Sequence, residues 1–181
     1  ASFNRRKRAS FIDGFQQQID FNQEIADFRL ISTHFLLSNN QKNLTTEWLR
    51  SKSDLSYRSW KVAPGYIVDI DENEVAQGDS VVSTLMNYQA HEFYLASTDS
   101  SKSTYRVSYQ LRNDRLPVGG NLEDYLFSKN LNASYGLNSG VTRIAADFNY
   151  RLVEDRLGLN VGEDEVINGR VNWVQSLFKR N

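Results

Sequence analysis

The sequence predicts an all-β fold: an antiparallel meander of about eight long strands that builds the wall of a transmembrane β-barrel, with a soluble β-sandwich as the alternative. Three observations predict it. From Val141 to Phe178 the residues alternate with a two-residue period. Ile144, Ala146, Phe148, Tyr150 and Leu152 stand opposite Arg143, Asp147, Asn149 and Arg151, and after a turn over Leu157 to Asp164, Ile167, Val171, Trp173 and Leu177 stand opposite Asn168, Arg170, Asn172 and Ser176. Turn-forming clusters such as Asn138-Ser139-Gly140, Pro64-Gly65 and Gly119-Gly120 separate segments of this kind. No segment shows sustained helical spacing.

Taken in order, 1–27 is expected to be an irregular basic and polar arm, partly stranded at most. Phe11, Phe15, Ile19 and Phe21 follow neither period, and Gln16 to Gln18 lie between them. The remainder, 28–181, is the barrel or barrel-fragment region. Phe28 to Leu37 is rich in strand-favouring residues and ends at Ser38-Asn39-Asn40. Leu44 to Val62 sets Leu49, Leu55 and Tyr57 against Arg50, Lys52, Asp54 and Arg58. Pro64-Gly65 predicts a type II turn, with Pro fixing φ at its second position and Gly accepting positive φ at its third. Tyr66 to Ile70 predicts a short strand, Asp69 to Asp79 an acidic loop, and Val81 to Ala96 a strand interrupted at Ala90-His91-Glu92. Beyond the polar tip Thr98 to Ser103, Thr104 to Leu116 places Tyr105, Val107, Tyr109 and Leu111 against Arg106, Ser108, Gln110 and Arg112; Pro117 and the glycine pair end it. Tyr125 to Leu137 sets Phe127, Leu131, Ala133, Tyr135 and Leu137 against Ser128, Asn130, Asn132 and Ser134.

Composition narrows the function classes. The 181 residues carry a net charge of −1 with both signs scattered along the strands, which gives no reason to expect nucleic acid. The one basic run, Arg5-Arg6-Lys7-Arg8, reads as a solvated arm. There are no cysteines, hence no disulfide or thiolate metal site. No apolar run approaches the roughly 18 to 20 residues of a membrane helix, but a barrel strand needs only about 9 to 11 alternating residues.

Alternating strands use their faces in opposite senses in the two candidate folds. A sandwich buries the apolar face; an outer-membrane barrel turns it to lipid and lines its interior with the charged one. Ala133, Ala146 and Gly169 among Tyr and Trp fill a sandwich core poorly and suit lipid. Trp48, Trp60, Tyr105, Tyr125, Tyr150 and Trp173 near strand ends suit an interfacial girdle, and long strands with short turns at one end and longer loops at the other match barrel anatomy. The candidate lumen-lining residues are therefore Arg106, Arg112, Arg143, Asp147, Arg151 and Arg170, and the candidate lipid-facing residues Leu111, Ala146, Phe148 and Val171.

Motifs for chemistry are weak. Asp69, Asp71 and Asn73 begin like a calcium loop, but Glu74 stands where glycine is needed and Ser80 where a bidentate Glu is needed. His34 and His91 lack a second His at metal-ligand spacing, and no nucleophile elbow or phosphate loop occurs. The expectation is a non-enzymatic protein without cofactors.

The runs Trp60-Lys61-Val62-Ala63-Pro64-Gly65-Tyr66 and Tyr109 to Pro117 with its glycine turn, together with Asn132-Ala133-Ser134-Tyr135-Gly136 and Gly169-Arg170-Val171-Asn172-Trp173, resemble the large β-barrel surface proteins of Bacteroidetes-type bacteria over residues 45 to 178. The chain ends Phe178-Lys179-Arg180-Asn181, without the terminal aromatic of a complete bacterial barrel. The resemblance therefore implies an internal section of a longer polypeptide, in the bacterial outer membrane, serving as a pore, transporter, secretion channel or scaffold. Its expected partners are membrane lipid and a neighbouring chain segment or partner protein at the strand edges. The alternative sandwich would be periplasmic or at the cell surface and would bind a glycan or a protein.

Overall fold

Alternation of side chains along the chain sets the architecture, and the computed structural model carries it almost end to end. It describes all residues except 1, 9–11, 42, 59–60, 78–79, 84–86, 99–101, 119–120, 159–162 and 176–181, and at 2–8, 12–13, 77, 80–83 and 121 it describes the backbone alone. The strands are β1 (Ser2–Arg8), β2 (Ile12–Ile25), β3 (Phe28–Gln41), β4 (Leu44–Tyr57), β5 (Val62–Gln77), β6 (Ser80–Ser83), β7 (Asn87–Ser97), β8 (Ser103–Val118), β9 (Asn121–Ser139), β10 (Thr142–Asp155) and β11 (Glu163–Gln175). They form one antiparallel sheet in the order β1-β2-β3-β4-β5-β7-β8-β9-β10-β11, with β6 also on β5. Because β6 pairs with Val75, Ala76 and Gln77 while β7 pairs with Val62 to Asp71, the two lie end to end along the same edge of β5. The sheet therefore has ten strand positions. It is open: among the described residues the outer edges of β1 and β11 have no ladder.

Residues directly opposite in an antiparallel ladder share a face, so the registers assign every strand. One face carries Leu30, Leu55, Tyr66, Phe93, Tyr109, Leu131, Tyr150 and Ile167 in a single row. The opposite face carries Lys52, Asp69, Ala90, Arg112 and Ser128 in a row three residues away along each strand. Among the described residues no second layer covers either face, and extensive contacts join ladder neighbours. The two packed sheets of a sandwich are not found. In consequence the apolar face stays open, with Phe93 54%, Val171 73% and Trp173 67% exposed. The buried apolar residues among those described are Ala63, Ala90 and Tyr94.

Several sequence expectations are corrected. The arm expected over 1–27 contains β1 and β2, which add two strands at one edge of the meander. Pro64 and Gly65 lie within β5 and make no turn: Gly65 opposes Ser56 and Tyr94, and Pro64 sits one residue beyond the last β4–β5 pair, where no amide is required of it on that side. The acidic loop expected over Asp69 to Asp79 is also strand as far as Gln77, and 78–79 lie outside the described residues. Asp69, Asp71 and Asn73 alternate with Ile70 and Glu72 inside β5, and Asp69 and Asp71 oppose Lys52 and Arg50. Ala90-His91-Glu92 does not interrupt β7, and Pro117 remains in β8 opposite Leu122. Connections are short at both ends of the sheet, the longest joining Asp155 to Glu163, so the long-loop end is not found. Trp60, Gly119, Gly120, Leu177 and Phe178 lie outside the described residues.

Other expectations are met. Gly140, with φ of 66°, turns β9 into β10 as the Asn138-Ser139-Gly140 cluster predicts. Gly158, also at φ 66°, follows β10, and the backbone amides of Leu157 and Gly158 donate to the Asp155 carboxylate at 3.0 and 3.1 Å.

Candidate functional site

The polar face is built by the same alternation that builds the sheet. All six residues expected to line a lumen, Arg106, Arg112, Arg143, Asp147, Arg151 and Arg170, occupy this face, and Leu111, Ala146, Phe148 and Val171 occupy the other. Arg106, Ser134, Asp147 and Arg170 stand in one row across β8 to β11, and Ser108, Asn132, Asn149 and Asn168 form the next polar-face row. These two rows line an open concavity of about 600 Å³, with Glu92 and Gln110 at one side. The Asn149 amide donates to the Asn132 carbonyl, and Asn130 Nδ2 to Gln110 Oε1 at 3.1 Å. Amides both donate and accept, so a row of them suits water or any polar solute. Arg112, Arg143 and Arg151 lie outside that concavity: Arg112 opposes Ala90 and Ser128, Arg143 opposes Asn138 and Val174, and Arg151 opposes Asn130 and Val166.

Toward β4 and β5 the polar face becomes a charge ladder with aromatic interleaving. Arg106 donates to Glu92 Oε1 at 2.7 Å while its guanidinium lies 4.0 Å over the Tyr94 ring. Arg112 repeats the arrangement with Asp114 at 2.8 Å and Tyr88 at 3.9 Å. Tyr94 Oη donates to Asp54 at 2.7 Å, and Lys52 and Arg50 approach Asp69 and Asp71 at 3.6 and 4.0 Å. Trp48, expected in an interfacial girdle, belongs here: its Nε1 donates to Asp71 at 2.8 Å and its ring meets Phe35 edge-on at 5.0 Å. Tyr125 is the extra residue of a bulge at Asp114/Arg115.

The apolar face has its own polar inclusions, and they satisfy one another. Ser32 Oγ lies 2.6 Å from both Ser53 Oγ and His34 Nε2, and His34 Nδ1 lies 2.8 Å from Ser51 Oγ. His91 is held between Tyr66 Oη at 2.6 Å and Gln89 at 3.0 Å. Both histidines are thus engaged by hydroxyl and amide groups, and among the described residues no cluster of three His, Asp or Glu side chains is placed to hold a metal. The Asp69, Asp71 and Asn73 run is extended strand, the wrong shape for a calcium loop.

Sequence spacing alone could pair His91 with nothing, because Tyr66 and Gln89 reach it from across a ladder and along its own strand. The cross-strand rows are what the sequence could not supply. No protein-family model matches the chain, and no curated protein matches it.

Proposed function

We propose that this chain forms wall of an outer-membrane β-barrel without catalytic activity, its apolar face against lipid and its polar face toward an aqueous interior. The observation that carries the reading is a single-layer sheet whose ladders collect most of the large apolar residues on one side and most of the Arg, Asp and Asn residues on the other. Water cannot leave an apolar face of ten strand positions open at low cost, since each buried methylene is worth about 0.8 kcal/mol. Lipid covers such a face without a second protein layer. It also demands that polar groups within it find partners of their own, and the Ser32–His34–Ser51–Ser53 and Tyr66–His91–Gln89 groups supply them.

Charged residues bound the apolar belt at one end. On this face Lys129 meets Glu154 at 2.6 Å, opposite Glu163, and Glu47 opposes Glu74. Such a rim suits the headgroup level. The interior rows of amides and paired arginines make the lumen hydrophilic with balanced charge, suited to a pore, a transport or secretion channel, or a scaffold. Lipid is the principal partner, and each strand edge requires a strand against it because unpaired backbone groups cost several kcal/mol in hydrocarbon.

Partitioning tests the reading. The expressed full chain should sediment with outer membranes, resist carbonate extraction and enter detergent micelles. A folded, monodisperse monomer in detergent-free buffer would overturn it.

A further inference from the structure

We propose that the two outer edges of the sheet are each other's partners: within one molecule, β1 pairs antiparallel with β11 and closes a ten-stranded cylinder with Arg8 beside Asp164, Lys7 beside Glu165 and Asn4 beside Asn168. The inference deepens the barrel reading and rests on it for which face lies outside.

Direction permits the pairing. Nine antiparallel ladders separate β1 from β11, so the two strands run oppositely. Their charges complement each other: β1 ends Arg5-Arg6-Lys7-Arg8, and β11 begins Glu163-Asp164-Glu165. Both stretches lie at the same end of the sheet, because β1 runs toward that end and β11 away from it.

Stagger then fixes the register. Followed along the ladders, Ser2 leads through Gln18, Phe35, Arg50, Asp71, Tyr88, Asp114 and Leu126 to Asp155. Asp164 opposes Val153, two rows below Asp155, and Arg8 stands six rows above Ser2. Bringing Arg8 beside Asp164 thus takes a closing stagger of eight residues. Ten strands with a shear of eight come near the one residue per strand of an eight-stranded barrel of shear eight, tilted about 36°. The shift is even, so the two row phases join like to like across the seam: in backbone register Asn4 comes opposite Asn168 and Phe3 opposite Gly169.

Handedness agrees. Asp27, Lys61 and Lys102, which continue the polar-face phase of the co-directional β3, β5 and β8, accept backbone hydrogen bonds from Arg58, Thr98 and Asn138 of the following strand at 2.7, 3.1 and 2.7 Å. For L-residues this places each following strand to the left when the apolar face is toward the viewer and β3 runs upward. Strands of a closed barrel lean right from outside, as right-handed twist requires, so a row followed leftward climbs and returns to β1 at a higher residue. That is the sign of the shift from Ser2 toward Arg8, and it closes the cylinder with the apolar face outward.

The apolar belt drifts as a tilted wall demands. In β3 and β4 it reaches the Leu36–Leu49 pair; one same-face step down is the row of His34 and Ser51, which at β10 and β11 has already become Glu154 and Glu163.

A cysteine cross-link tests the closure, and the chain contains no native cysteine. Asn4→Cys with Asn168→Cys in the full chain should oxidise to an intramolecular disulfide, seen as a faster-migrating monomer on non-reducing gels. The shifted pair Asn4→Cys with Asn172→Cys should form at least tenfold less. Arg8→Asp should reduce the Asn4–Asn168 cross-link severalfold, and adding Asp164→Arg should restore it. Disulfide-linked dimers alone, no cross-link, or equal yield from the shifted pair would overturn the closure. An intramolecular cross-link in protein that stays soluble without detergent would keep the closure and end the membrane reading.

Discussion

The Tyr94 ring lies over Gly65 on the neighbouring strand, so closely that a Cβ built at Gly65 would stand 2.1 Å from Tyr94 Cζ. Gly65 is therefore a contact residue, and its value lies in having no side chain. The ring it admits is fixed at its far end by Asp54 and covered by Arg106. Gly65→Ala should destabilise the fold by about 2 kcal/mol through overpacking. In the Tyr94→Ala background the same substitution should cost little, so a double-mutant cycle by urea unfolding would show strong coupling. Additive effects would mean that the ring moves aside freely.

The Arg106–Glu92 contact is partly open to solvent, the Arg side chain being 42% exposed, which limits the ion pair itself to about 1 kcal/mol. Stacking on Tyr94 adds to it. Arg106→Ala should lower stability by about 1 kcal/mol, and Arg106→Lys should recover less than half of that because an ammonium does not stack as a planar guanidinium does. Thermal unfolding of the three proteins in the same detergent checks the order.

The histidine network on the apolar face gives an asymmetric prediction. His34→Ala leaves Ser32 and Ser51 short of a partner and should cost about 1 to 3 kcal/mol. Replacing the whole group, with Ser32→Ala, His34→Leu, Ser51→Ala and Ser53→Ala together, removes both the donors and the acceptors and should be nearly neutral in a lipid-facing site. Unfolding in detergent micelles measures both. A quadruple variant less stable than His34→Ala would mean that this face is wet.

Much of this architecture was legible because the relevant signal is local. Ile144 to Leu152 against Arg143 to Arg151 announces a strand and its two faces without further information, and the ladder partners of Ile144, Ala146, Phe148 and Tyr150 agree with it, whereas Arg151 opposite Val166 and Leu152 opposite Lys129 and Glu165 do not. Where local chemistry conflicted with tertiary pairing, the sequence misled. Pro64-Gly65 carries a turn signature, but Gly65 is selected by the Tyr94 ring and Pro64 sits past the end of a ladder, where its missing amide costs nothing on that side. Asp69 and Asp71 look like loop residues until Lys52 and Arg50 stand opposite them. Gln16 to Gln18 blur the contrast between faces, which hid β2. The concavity over Asn132, Asn149 and Asn168 is a property of register, and register across 36 residues of chain is not written in any one strand.

The two faces make the sharpest test. Phe148 and Arg151 are three residues apart on β10, so they point to opposite sides; Phe148 opposes Ala133 and Gly169, and Arg151 opposes Asn130 and Val166. An arginine at the bilayer midplane of a barrel costs about 2 to 4 kcal/mol, so Phe148→Arg should block assembly, whereas Arg151→Ala should leave assembly intact and change only the interior charge. A soluble protein that covered this face by other means would also suffer from Phe148→Arg, which makes assembly alone indecisive. Single-cysteine variants at the two positions, labelled with a fluorophore and reconstituted in vesicles, remove the ambiguity. Lipid-borne quenchers should quench the label at 148 strongly and the label at 151 little, while an aqueous quencher admitted to the lumen should reverse the order. Equal response of both positions to the lipid-borne quencher would end the barrel reading, because no wall of alternating strands can present residues 148 and 151 to the same solvent.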